Sequence, residues 1–127
     1  MRARLVSAAV MVALSGSAAA AQPAGQMRCE FTRAYSCHAT GCFDATTPKA
    51  WSVIDWGRKD YAMCDPSGCQ HKAFQDWQDG IYRSLTFVGS DLMFKLNLTD
   101  MSAVETGTML NASVTSFGSC ASIASPP

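Results

Sequence analysis

Residues 91–98, "DLMFKLNL", set Leu92, Phe94, Leu96 and Leu98 on one side of an extended chain and Met93, Lys95 and Asn97 on the other. A period of two marks a β-strand with one buried face, because successive side chains of a strand point to opposite faces of the sheet. The alternation recurs outward from this stretch. "MRCEFT" (27–32) opposes Met27, Cys29 and Phe31 to Arg28, Glu30 and Thr32. "IYRSLTFV" (81–88) puts Ile81, Leu85 and Phe87 on one face, with Arg83 as the exception. "WSVID" (51–55) and "YAMC" (61–64) flank the turn-like "WGRKD", while "MSAVET" and "MLNASVTSF" lie either side of Gly107 and fit a further hairpin.

Turn-forming clusters separate these runs: "HATG", "GRKD", "DPSG", "QDG", "VGSD", "LTD" and "ETGT". Short strands punctuated in this way predict an all-β fold, a small antiparallel meander of about seven or eight strands closed as a barrel or folded as a sandwich. One segment reads two ways. In 72–78, "KAFQDWQ", Phe74 and Trp77 are three apart and Gly80 follows, which suits one short helical turn as well as a strand.

The six cysteines are Cys29, Cys37, Cys42, Cys64, Cys69 and Cys120. In "CDPSGC" (64–69), Asp favours the start of a turn, Pro presets φ at the next position, and Gly accepts the left-handed conformation that closes a short hairpin loop. Cys64 and Cys69 would then face each other across paired strands, at a Cα spacing of about 4.5–5.5 Å that a disulfide accepts. "CHATGC" (37–42) repeats the arrangement, with Gly41 in the place of Gly68. If both local bridges form, Cys37–Cys42 and Cys64–Cys69, Cys29 is left to pair with Cys120, tying the first strand to the last; a pairing of Cys29 with Cys37 or Cys42, leaving another partner for Cys120, stays open among the fifteen that six cysteines allow. Zinc held by the same thiolates, with His38 or His71, is the competing reading. Zinc ribbons favour two-residue spacers, however, and no C-x-x-C redox pair occurs.

The compartment supports disulfides. Arg2 and Arg4 precede an apolar stretch of ten residues broken only by Ser7 (5–14), and Ala19 and Ala21 occupy the −3 and −1 positions of an A-x-A cleavage site before Gln22. Residues 1–21 are expected to be a cleaved signal peptide, 22–27 a polar lead-in, 28–120 a single disulfide-bonded domain and 121–127 a disordered tail. The product is expected to be exported, to the periplasm or the cell exterior, and not embedded in a membrane. Without Arg2 and Arg4, eight basic residues face ten acidic ones, a net charge of −2 with no basic stripe, which argues against nucleic acid as a partner.

Catalytic chemistry is hard to assemble from these residues. His38 and His71 lie in or beside cysteine loops, and Asp55, Asp60, Asp65, Asp76 and Asp79 fall mostly at turns, where Asp bonds local backbone. No phosphate loop, calcium loop or H-E-x-x-H occurs, so no catalytic residue, metal ligand or cofactor is assigned. In size and export the chain resembles the small exported β-barrel inhibitors of lysozyme, but the S-G-x-x-Y loop of those inhibitors is missing. Trp51, Trp56 and Trp77, set beside polar turns, are the candidate binding aromatics, since a rigid apolar body with a polar tip suits recognition. The expected function is therefore a non-enzymatic binding module for a protein or envelope component. The alternatives are a small hydrolase using turn carboxylates and a purely structural envelope protein.

Overall fold

The computed structural model describes residues 24–45, 50–109 and 111–123. Among these residues the strands are β1 (Gln26–His38), β2 (Gly41–Ala45), β3 (Trp51–Asp55), β4 (Asp60–Asp65), β5 (Gly68–Asp79), β6 (Tyr82–Phe87), β7 (Met93–Asn97), β8 (Ser102–Met109) and β9 (Ala112–Ile123). β3 to β9 follow one another up and down, and β1 closes the ring between β9 and β3. The result is an eight-strand antiparallel closed barrel with β2 as an extra strand, which decides between barrel and sandwich. Closure leaves the ring without the exposed edges that invite pairing with other chains.

Alternation along the strands fills the interior. Met27, Cys29, Ile54, Tyr61, Phe74, Leu85, Phe87, Phe94 and Leu96 are buried together, with Tyr61 edge-on to Phe87 (5.0 Å between ring centres) and tilted against Phe94 (5.6 Å). Three disulfides link residues that face each other directly across paired strands: Cys29–Cys120, Cys37–Cys42 and Cys64–Cys69, each with Cα atoms 4.0 Å apart. The first lies in the core. The other two staple hairpins. In the 64–69 turn, Asp65 Oδ1 accepts hydrogen bonds from the Ser67 amide (2.7 Å) and hydroxyl, and Gly68 takes a φ of 146°. Gly41 takes the corresponding 137° in the other stapled turn.

The outer edge of β1 is shared. Residues 26–30 pair with β3 and residues 34–38 with β2, so among the described residues 31–33 have no strand partner on that side. On the β9 side the register shifts between Phe31 and Arg33, a β-bulge that bends the strand at this gap. Gly118 sits against the bulge so closely that a Cβ there would lie 2.0 Å from the Glu30 carbonyl oxygen.

Several expectations change. Residues 72–78 are strand throughout, because β5 passes from one partner to the next there, 72–73 pairing with β4 and 74–78 with β6: Phe74 faces inward opposite Phe87, and Trp77 faces outward. Gly80, with φ of 59°, serves the β5–β6 hairpin instead of ending a helix. Gly107 lies within β8 rather than in a turn, and the β8–β9 turn falls at Asn111. Met27 belongs to the core, so the lead-in is shorter than 22–27, and β9 continues to Ile123 into the expected tail. The expected signal peptide lies outside the described residues.

Arg83 interrupts an apolar face because it points inward to an equally inward Asp76. Its guanidinium contacts Asp76, whose other oxygen accepts from Lys59 Nζ at 2.7 Å. Burial pushes the Asp76 carboxyl up, but hydrogen bonds and charge from Lys59 and Arg83 outweigh it and hold the group below the usual carboxylate range. The Arg83 guanidinium also sits over the Trp56 ring at 5.8 Å, and Trp56 packs edge-on against Phe74.

Candidate functional site

The three tryptophans have different surroundings. Trp56 is 6% exposed and part of the core. It is removed from the binding candidates because the β3–β4 turn folds it over the barrel end, against Phe74. Trp51 is half-buried at the start of β3, with the Arg28 guanidinium 4.5 Å from its ring centre. Trp77 is 46% exposed on the outer face of β5.

Strand register gathers further apolar side chains around Trp77. Across the outer face, Trp77 is opposite Ser84, Ser84 opposite Lys95, Lys95 opposite Val104, and Val104 opposite Phe117. The neighbouring row carries Met93, Thr106, Thr115 and Tyr35, and Tyr35 meets Phe117 edge-on at 5.9 Å. Trp77, Met93 (51% exposed) and Phe117 (41%) thus belong to one strip crossing five strands. Between Trp77 and Lys95 the strip dips, because Ser84 is too small to fill its place and is buried by its neighbours. The dip is a groove of about 460 Å³ walled by Trp77, Met93 and Val104, with Asp79, Lys95 and Thr106 supplying polar atoms. Lys95 extends over the Tyr82 ring at 4.6 Å.

Met93, Val104 and Phe117 were not singled out from the sequence. The available signal was an apolar residue on the polar side of an alternation, as Met93 is in 91–98. Only the register shows that such residues from separate strands form one surface.

The turn carboxylates do not converge. Asp55 accepts from the Arg58 amide and Asp65 from the Ser67 amide, as local turn bonds. Asp60 meets His71 Nδ1 at 2.7 Å on the exposed outer face, and neither residue lines the groove. Among the described residues no cysteine is free, so no thiolate is left to ligate a metal.

Inside the barrel, the Tyr61 hydroxyl donates to Glu105 Oε2, and no Lys, Arg or His ion-pairs with that carboxylate among the described residues. Burial raises the Glu105 carboxyl above its ordinary 4.5, partly offset by the Tyr61 bond. Burial, then the charge of Glu105, pushes the Tyr61 phenol well above 10.0. A folded-state value above the unfolded one means that the native state holds the proton more tightly. The stabilisation from Glu105 is therefore complete below pH 4.5 and is lost as pH rises through the raised native value. Asp76, with its lowered value, has the opposite sign and loses its contribution as pH falls below 3.8. Wild-type protein should thus lose stability relative to Glu105→Gln as pH climbs above 4.5, read as the difference in urea midpoints across pH. A constant difference would show that Glu105 does not titrate differently in the fold.

No protein family, no curated protein and no solved structure matches the chain.

Proposed function

We propose that this small all-β, disulfide-rich domain is an exported, non-enzymatic binding module that docks a protein partner on the outer strip around Trp77. The carrying observation is the strip itself: Trp77, Met93 and Phe117 exposed together on the outside of a barrel whose interior already buries a full apolar core. A contiguous exposed apolar patch rimmed by polar residues marks an interaction surface, and Trp is the residue type most enriched among binding hot spots. The leader-like first 21 residues and the three bridges support an oxidising compartment.

A membrane-spanning barrel fits poorly. Such barrels face lipid with an apolar band and keep a polar interior. Here the interior is mostly apolar, with the Asp76–Arg83 pair and Glu105 as charged exceptions, and Arg28, Asp60, His71 and Lys95 face outward. Among the described residues no helix is long and apolar enough to cross a membrane. Hydrolysis by turn carboxylates has no shared cleft to support it.

The test is capture of a partner from envelope extract with the mature oxidised domain, followed by affinity measurement on the purified pair. Trp77→Ala should weaken binding at least about tenfold, the scale of a hot-spot truncation. Val88→Ala, at an 86% exposed turn residue outside the strip, should leave binding unchanged. Equal affinity of the Trp77→Ala variant and wild type would remove the strip from the reading. Capture of an envelope glycan alone, with no protein, would change the partner class.

A further inference from the structure

We propose that the groove beside Trp77 receives an arginine side chain of the protein partner, its guanidinium held between the Trp77 ring and the Asp79 carboxylate. The inference rests on the reading of the outer strip as a docking surface and names the chemistry of what docks there.

The chain's other two tryptophans supply the pattern. Trp51 has the Arg28 guanidinium 4.5 Å from its ring centre, and Arg28 Nε donates to Glu30 Oε1 at 3.1 Å, with Glu30 directly opposite Trp51 on β1. Trp56 has the Arg83 guanidinium 5.8 Å from its ring centre, and Arg83 is ion-paired with Asp76. Each is a set of three: ring, guanidinium and carboxylate. Trp77 has the first and the last. Asp79 lies two residues along on the same outward face of β5, lines the same groove, and makes no ion pair among the described residues. No cation of the described residues sits over the Trp77 ring. A guanidinium from outside completes the third set.

Shape and charge select arginine. A planar guanidinium stacks on an indole and pairs with a carboxylate at its edge, whereas an ammonium is a compact, strongly hydrated point charge. The lysines that have an aromatic partner lie over Phe74 and Tyr82, and neither lies over a tryptophan. The groove, of about 460 Å³, gives the arginine stem apolar walls in Met93 and Val104, which the stem covers while the charged head stays at the water boundary. Lys95 works against the ligand. Its ammonium rests over Tyr82, the residue opposite Asp79, and repels a second cation there.

The experiment follows the indole N–H signals of the mature oxidised protein by NMR while Nα-acetyl-arginine methylamide is added. The Trp77 signal should shift and saturate, while those of Trp51 and Trp56, which already carry guanidinium groups, stay in place. The citrulline analogue, which keeps the shape and loses the charge, should bind about fivefold more weakly. Asp79→Asn should weaken the arginine probe about threefold, the scale of an exposed ion pair. Lys95→Met should tighten it about twofold by removing the competing charge. The proposal is overturned if the Trp77 signal does not saturate, if the citrulline or the matching lysine analogue binds as tightly, or if Asp79→Asn has no effect. It is also overturned if Lys95→Met weakens binding, which would mark an anionic occupant. The docking reading fails separately. A captured partner that loses affinity with Trp77→Ala but not with Asp79→Asn keeps the strip and removes the arginine. A saturating arginine probe with no captured partner upholds the guanidinium site while the docking reading fails.

Discussion

Replacing both Cys29 and Cys120 by Ala should lower unfolding free energy by about 4–5 kcal/mol and the melting temperature by about 20 °C or more. The bridge spans 91 positions of sequence. In the chain-entropy account, closing a loop of that size removes unfolded-state freedom worth about 4.6 kcal/mol, against about 2 kcal/mol for either six-residue hairpin bridge. Its native setting adds to the effect, because both sulfurs lie among core side chains and their loss leaves space between β1 and β9. Calorimetry on this variant beside Cys37→Ala/Cys42→Ala provides the comparison. Equal losses in the two would mean that the β1–β9 ladder closes the barrel without covalent help.

Gly118→Ala should be nearly as damaging, at about 3 kcal/mol or more, or should prevent accumulation of folded protein. The added methyl would meet three backbone atoms: the Glu30 carbonyl oxygen at 2.0 Å, and the Glu30 carbonyl carbon and Phe31 Cα at 2.8 Å each. A flexible side chain could swing aside, whereas a backbone held between two ladders at a bulge cannot. Gly107→Ala is the matched control, since its nearest obstacle is a Leu92 methyl at 3.6 Å, an ordinary contact. Urea denaturation of the pair should therefore show a large loss for residue 118 and little for residue 107. A mild effect at 118 would show that β1 can give way at its bulge.

The fold was legible where local chemistry sufficed. Alternation placed Met27, Cys29, Phe94 and Leu96 on inner faces, and the Asp-Pro-Ser-Gly turn carried its own instructions in Asp65 and Gly68. Legibility failed where a residue's role depended on a strand distant in sequence. Arg83 looked like a flaw in its strand because Asp76, which neutralises it, belongs to the segment whose type was ambiguous. Phe74 and Trp77 suited a helical turn until β6 supplied a strand partner for each, Phe87 and Ser84. Glu105 and the strip around Trp77 had no local mark. Carboxylates and single apolar residues on strands are common, and what distinguishes these is the company that register gives them.

The place of the core bridge in its ladder has a mechanical consequence. Gln26 is opposite Ile123, and only three opposed pairs precede Cys29–Cys120. A force pulling the two ends apart unzips those rungs and then meets a covalent bond, so the load bypasses the rest of the barrel. Unzipping of the β1–β9 ladder from that end, by tension or by fraying, meets the bridge at the fourth rung.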